Sequence, residues 1–353
     1  MPLQQVGPAL FAVLYREVGI QVAVGLLRTG DKIDDRIRER FKFLSRTVLD
    51  AEGSGLDPFI KVRILEDGSL MPPLDLTVFN TPEIVDGIES YCEEHGFEIV
   101  LANMRLFKRY DNNLTDTPEH MALFEKTLRN LAAKQVEGVV YIGYHYRRVS
   151  YLPPQGSIPF VYAYCTPSEQ RYPSVVFDNE DASFQVGTAL VRHGHRQIGV
   201  ICGPVASLNA QARLRGYQRA LFEAGVLYNA NLTLFGDWTQ ESGRRCAGQL
   251  IDRGVTAIYA FNDMMASGVY LCCAERGLTV GRDISVFGYD NLSLSQALDP
   301  PLSTVESPLD EMGRRSAALV LDQLREKDAG TPKEWMIPCK LHMRASLGKN
   351  PNC

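Results

Sequence analysis

The sequence predicts an α/β protein with a two-lobed, doubly wound body behind a small all-α head. Three observations carry this. From about residue 74 onward, short apolar runs rich in β-formers alternate with amphipathic stretches of helical length. Nine such runs exceed what one compact doubly wound sheet usually carries, so two lobes are expected. Residues 1–65, by contrast, read as helices separated by short turns, with no good strand. A chain of 353 residues suits a small module joined to one or two α/β units.

The expected strands are LDLTVF (74–79), FEIVLA (97–102), GVVYIG (138–143), FVYAYC (160–165), SVVF (174–177), QIGVIC (197–202), LTLFG (232–236), AIYAF (257–261) and ISVFGY (284–289). Each is almost continuously apolar, as a parallel sheet covered on both faces requires. Helices are expected over 82–96, 120–135, 182–195, 212–225, 241–254 and 263–277, where apolar residues recur at i, i+3, i+4 and i+7. Several of these stretches close on a glycine, which accepts the left-handed conformation that ends a helix. IPCKLHMRA reads as a last apolar strand. The polar segment CTPSEQRYPS, within Tyr164–Asp178, is the expected switch between lobes.

In the head, Leu10–Val18 is an expected helix ending at Gly19, and Gln21–Arg28 a second, closed by Thr29-Gly30. Asp34–Leu49 is a third, with Asp34 and Asp35 favouring its N-terminal dipole. Helix, glycine-containing turn, helix is the outline of a helix-turn-helix. After AEGSG (51–55), Pro58–Leu65 can form one further short helix.

Charge is unevenly placed. The total is -5, but residues 1–65 hold ten Lys/Arg against eight Asp/Glu, a net of +2 that leaves -7 for the rest. Arg28–Arg46 alone has seven basic and four acidic residues. That is a modest electrostatic footprint for DNA, and on charge alone an ordinary solvated helix face reads equally well. No run reaches the ~18–20 apolar residues of a membrane span. The N-terminal apolar stretch Pro8–Tyr15 lacks a basic leader and a small-residue cleavage site, so a cytoplasmic protein is expected. The eight cysteines are scattered without a C-x-x-C pair and read as buried free thiols. No metal set, P-loop, G-x-G-x-x-G after a strand, or G-x-S-x-G is present. Neither catalytic residues nor a cofactor are expected.

Long stretches of the body resemble the LacI/GalR family of bacterial transcription regulators. They include VRHGHRQIGVICGP (191–204), ARLRGYQRALFEAG (212–225), GDWTQESG (236–243), AIYAFNDMMASGVYLCCAERGLTVGRDISVFGYDN (257–291) and LDPPLSTVESPLDEMGRRSAALVLDQL (298–324). Together they cover most of residues 135–345. The resemblance implies a periplasmic-binding-protein-like core that binds a small sugar or sugar derivative between its lobes. It also implies an N-terminal head that binds double-stranded operator DNA as a homodimer. On this frame residues 1–50 are the head and 51–73 the hinge helix and linker. The core is 74–348, with a first lobe of about 74–176 and 308–336 and a second of about 177–307 and 337–348. LDPFIKVRIL (56–65) resembles the family's hinge helix. The recognition segment QVAVGLLRTG departs from the family's Ser/Thr-rich pattern, is one residue short, and carries Gly25 mid-helix.

The resemblance is also the main warrant for the effector-binding candidates Arg213, Trp238, Asn262 and Asp290. Asn262 directly follows AIYAF and Asp290 follows ISVFGY, where side chains can enter a crevice at strand ends. Taken singly, each has a plain reading: Asp290-Asn291 as a turn or cap, Asn262-Asp263 as a helix cap, Trp238 as core and Arg213 as half of a surface ion pair. Tyr144 and Asn80, after first-lobe strands, are weaker candidates. In the head, Gln21 is the candidate for an adenine edge and Arg28 and Lys32 for phosphate. Arg63 and Leu65 would approach the minor groove, with plain core packing equally open for Leu65. The function expected is a sugar-controlled repressor. The alternative is a sugar-binding protein of the same fold whose head does not bind DNA specifically.

Overall fold

The computed structural model describes residues 81–104, 116–143, 146–154, 158–169, 171–325 and 334–350. The chain divides into two compact units: Met1–Thr77 with Ile99–Asn113, and Val78–Glu98 with Leu114–Cys353. The account below concerns the second unit. The head, the hinge segment and the expected strand 74–79 lie outside the described residues. So do Gln21, Arg28, Lys32, Arg63, Leu65, Asn80 and Tyr144.

Two four-stranded, all-parallel sheets form the second unit. The first has the order β1-β3-β5-β11, from Val139–Ile142, Phe160–Ala163, Ser174–Phe177 and Glu334–Ile337. The second has the order β7-β6-β8-β9, from Thr233–Phe235, Ile198–Cys202, Ala257–Ala260 and Ser285–Phe287. Two minor ladders complete the strands: β2 (Arg148–Val149) beside β4 (Thr166–Pro167), and β10 (Thr304–Glu306) antiparallel to β12 (Lys340–His342). The chain passes between the main sheets after β5, after β10 and after β11.

The helices are α1 (Thr81–Glu94), α2 (Pro118–Ala133), α3 (Asn179–Arg192), α4 (Leu208–Glu223), α5 (Gln240–Asp252), α6 (Asp263–Glu275), the short α7 (Leu294–Ala297) and α8 (Leu309–Arg325). Their starts are chemically marked. Thr117, Asp178, Ser207, Thr239 and Asn262 each accept a hydrogen bond from the backbone N–H three residues on, which satisfies one orphan donor of the helix. Their ends follow the glycine rule at Gly194, Gly225, Gly254 and Gly277, all with φ between 65 and 88°.

All the described strand candidates but one form strands. FEIVLA does not: residues 97–104 carry no ladder, and the expected neighbour 74–79 lies outside the described residues. A strand is a ladder between two segments, so an apolar run alone does not make one. Helix α8 is an addition to the helices expected from the sequence. It lies on the first sheet, packed against α1.

Each lobe has its own core. Around the second sheet, Val186, Leu190, Ile201, Leu250, Ile258, Val269 and Val286 are fully or almost fully buried in one cluster. The first sheet is packed by aromatic rings: Phe124 lies 5.0 Å from Tyr151, and Phe160 lies 5.0 Å from Tyr162. Arg147 closes that core over Tyr151, joined to Asp116 in a half-buried ion pair.

Helices α5 and α6 cross at glycines on both sides. A Cβ added at Gly243 would collide with the Met265 backbone, and one at Gly268 with the Gln240 carbonyl. Gly268→Val therefore forces apart two helices whose backbones touch, and should destabilise the protein by about 2–3 kcal/mol. Gly248→Ala, also on α5, meets only the flexible end of Arg276 and the Cys272 sulfur, and should gain a few tenths to ~1 kcal/mol from helix propensity. Urea unfolding of the pair checks both signs; equal effects would refute the close-crossing argument.

Candidate effector site

Four strands of the second sheet deliver their C-terminal ends to one edge. In the order β7-β6-β8-β9 the chain runs outward from β6 to β7, then crosses to β8 and β9. The helix after β6 packs with α3, whereas the helix after β8 packs with α5. The ends of β6 and β8 thus form a topological switch point, where α/β sheets open a crevice.

Arg213 spans that point. It projects from the second turn of α4 and is 3% exposed. Its Nε donates to Asn179 Oδ1 at 2.8 Å, one Nη donates to the Phe261 carbonyl at the end of β8, and the other lies 3.8 Å from Asp290 Oδ1. The guanidinium sits 3.4 Å over the Tyr289 ring and 5.9 Å from the Trp238 ring. Asn262 caps α6 through Oδ1, 2.8 Å from Met265 N, and its Nδ2 donates to the Trp238 carbonyl at 3.0 Å. Trp238 packs on Gly203, where a Cβ would strike its indole. All four sequence candidates thus stand in one cluster.

The plain readings fare differently. Asn262 is the cap, and Asp263 is not. Arg213, itself buried, pairs with the partly buried carboxylate of Asp290 rather than with one on the open surface. Asp290 lies in a sharp bend with φ +109°, followed by Asn291 at +56°. Trp238 (+72°) and Tyr164 (+56°) are also left-handed. Of the five non-glycine residues with positive φ among the described residues, four ring this cluster. Such conformations cost about 1–3 kcal/mol each and persist only where surrounding bonds over-determine them.

Two carboxylates of the cluster are shifted upward. Burial pushes Asp290 up to about 6, against the pull of the Arg213 cation. Asp263, wholly buried, is pushed up to about 8, first by burial and then by the charge of Asp290. Its Oδ1 accepts from the Thr304 hydroxyl at 2.6 Å and its Oδ2 from Leu292 N–H at 2.8 Å.

Several residues of the cluster are not among the sequence candidates. Asn179 joins Arg213 to Asn209 (3.1 Å), and Asn209 Nδ2 donates to the Tyr164 hydroxyl at 3.0 Å. Tyr164 in turn stacks on Phe177, with centroids 5.3 Å apart. A signal existed: Asn179 comes soon after SVVF as Asn262 comes after AIYAF, and Asn209 and Arg213 share one face of α4 at i, i+4. Beside the cluster a cavity of about 350 Å³ opens, lined by Tyr146, Arg148, Thr166, Asn179, Arg215 and Glu334 among others. That volume lies within the range of small-ligand pockets. Among the described residues, no group of three His, Cys, Asp or Glu side chains is placed to hold a metal, and no helix is long and apolar enough to cross a membrane.

A family model for the periplasmic binding protein-like domain matches residues 188–347. The HTH-type transcriptional repressor CytR of Escherichia coli (strain K12) is 32% identical over 279 residues, which is 76% of this chain and 76% of CytR. The chain belongs to the LacI family of transcription regulators. Among solved LacI-family structures, the regulator CelR in complex with cellobiose matches with a TM-score of 0.62 at 29% identity, over 77% of this chain and 81% of CelR. The lac repressor dimer bound to operator and the anti-inducer ONPF matches with a TM-score of 0.62 at 25% identity, over 77% of this chain and 91% of that one. The two-sheet α/β architecture of this LacI-family member is the one those regulators share.

Proposed function

We propose that this chain is a DNA-binding transcription repressor whose operator affinity is set by a small, hydroxyl-rich effector held at the Arg213–Asp290 cluster. The observation that carries the effector reading is the pairing of a buried guanidinium with a partly exposed carboxylate 3.8 Å apart. At that separation neither group satisfies the other fully, and vicinal hydroxyls can accept from the one and donate to the other. Trp238 supplies a stacking face, with Asn179 and Asn262 at the sides. Tyr164 and Phe177 form the opposing wall from the first sheet. Asn80 and Tyr144, outside the described residues, remain proposed effector contacts on the family resemblance alone.

The DNA reading rests on the repressor relatives. Gln21, Arg28 and Lys32 in the head, and Arg63 and Leu65 in the hinge, are the residues proposed to meet DNA, with the protein acting as a cytoplasmic homodimer. The lobes would divide at about 176/177, 307/308 and 336/337, so that effector-driven closure moves the hinge. Coupling of that kind is reciprocal: an effector that weakens operator binding is itself bound less tightly by the DNA-bound form. No nucleophile–base pair or metal set equips the cluster for catalysis, and the proposed role is binding alone.

The test is a gel shift or anisotropy titration of the full chain against the DNA upstream of its own gene. Salt is varied, non-specific competitor is present, and cellobiose, D-ribose and a panel of hexoses and nucleosides are added in turn. The expected result is a salt-sensitive, competitor-resistant complex of nanomolar order that one compound class weakens or strengthens at least fivefold. Only weak, sequence-indifferent binding across the panel would refute the repressor reading and leave a ligand-binding body with a silent head.

A further inference from the structure

The bend that carries Asp290 is held from both sides by the side chains of Asp263 and Arg344, neither of which hydrogen-bonds Asp290 or Arg213. On one side Asp263, at the start of α6, accepts Leu292 N–H at 2.8 Å, and its own N–H donates to the Tyr289 carbonyl at 2.7 Å. On the other side Arg344, two residues beyond β12, reaches back 53 positions in sequence. Its Nη2 donates to Asn291 Oδ1 at 2.7 Å, and its Nη1 donates to the Leu302 carbonyl at 2.7 Å and to Ser295 Oγ at 3.0 Å. Between these clamps lie two consecutive left-handed residues without glycine, Asp290 and Asn291. Without outside bonds such a pair would relax toward ordinary backbone angles. The direction of the Asp290 carboxylate follows from those angles.

We infer that Arg344 and Asp263 are positioning residues for the effector-site carboxylate, fixing the strained Tyr289–Leu292 bend so that Asp290 faces Arg213. This deepens the proposed effector site and rests on that reading of the Arg213–Asp290 pair. Arg344 suits the task because its planar fork bonds the Asn291 side chain and the Leu302 backbone together, which a single ammonium cannot reproduce. The tail beyond β12 is itself well anchored. Ser346 Oγ donates to the Val286 carbonyl at 2.7 Å, and its backbone carbonyl accepts Val286 N–H at 2.9 Å. The clamp therefore has a firm base.

The experiment uses the full chain in a Trp335→Phe background, which leaves Trp238 as the sole indole. Two quantities are read in Arg344→Met, Arg344→Lys and Asp263→Ala: hydrogen exchange of segment 288–293 relative to segment 198–202, and the pH midpoint of Trp238 emission. Asp290, pushed up to about 6, titrates below Asp263, pushed up to about 8, so the lower of the two midpoints is the one read. Arg344→Met should speed exchange in 288–293 at least tenfold more than in 198–202 and move the midpoint by half a pH unit or more. Asp263→Ala should act in the same direction, and Arg344→Lys should fall between Arg344→Met and the parent. If Arg344→Met does not fold, Arg344→Lys reads the same two quantities. Exchange that rises equally in both segments, an unmoved midpoint, or a flat emission profile in the parent would overturn the inference. Neither readout uses effector or DNA, so this result and that of the operator assay stand or fall separately.

Discussion

Replacing Arg213 with methionine should destabilise the body by about 2–3 kcal/mol, because a partly buried carboxyl and two neighbouring acceptors lose their donor. Arg213 is 3% exposed and the Asp290 side chain 20%, so solvent relieves only part of that loss. Asn179 Oδ1, the Phe261 carbonyl and Asp290 lose a donor together. Methionine fills much of the volume, so the loss is one of electrostatics and hydrogen bonding more than of packing. The cation is also what restrains the upward shift of Asp290, so in Arg213→Met that carboxyl should stay protonated to higher pH than in the parent. Adding Asp290→Asn to Arg213→Met should cost less than the two single changes summed, because the stranded charge is gone. Urea unfolding of the four-member cycle measures this. The operator assay should show at the same time that Arg213→Met no longer answers any effector that acts on the parent. Additive stability losses would mean that the 3.8 Å pair carries no coupling.

The second large effect is a gain. Asp263→Asn should leave stability near that of the parent at pH 5 and raise it progressively toward pH 9, by an amount on the order of a few kcal/mol. The sign follows from the direction of the shift. The folded protein holds the Asp263 proton up to about pH 8, whereas in the unfolded chain it leaves near 3.8. Between those values the folded state binds more protons than the unfolded one. Stability from this group is therefore fully present below about pH 4 and is lost as pH rises through 8. Asparagine mimics the protonated acid. Its oxygen can accept Leu292 N–H, and its amide can donate to Thr304 Oγ1, whose own proton can turn to the Val305 carbonyl 3.5 Å away. His195, buried between Thr256 and the Gly348 carbonyl, has the opposite sign. Burial lowers its pKa, so its contribution is lost as pH falls below about 6.5. The difference between the Asp263→Asn variant and the parent, followed by thermal or urea unfolding from pH 5 to 9, removes His195 from the comparison. A constant difference across that range would show that Asp263 ionises freely in the fold.

Local chemistry made much of this protein legible. The strands over 139–142, 160–163, 174–177, 198–202 and 257–260 announce themselves as apolar runs because both faces of a parallel sheet are covered. The helices announce themselves by period, cap and closing glycine. The cluster of Arg213, Trp238, Asn262 and Asp290 was reachable through a family resemblance and through the rule that crevices open at strand ends. Less accessible were the groups that give the cluster its form. Asn179 sits just past a strand yet reads in isolation as an ordinary first-turn residue. FEIVLA has a good apolar pattern, but a ladder is a relation between two segments, and one segment's pattern cannot supply it.

What the sequence by itself determined was the α/β alternation, the family, and which residue types stand at the ends of the second-sheet strands. Each of these depends on neighbours within a few positions, where backbone preference and side-chain period act directly. Only the tertiary structure decided the rest. It decided that Asn262, not Asp263, caps α6, and that Asp263 turns inward to a hydroxyl 41 residues away. It decided that Arg213 faces Asp290 at 3.8 Å, and that Arg344 from the tail clamps the bend beside them. Burial and a partner's direction set the protonation and hydrogen bonding of such groups. Both are properties of the packed fold, not of the order of residues along the chain.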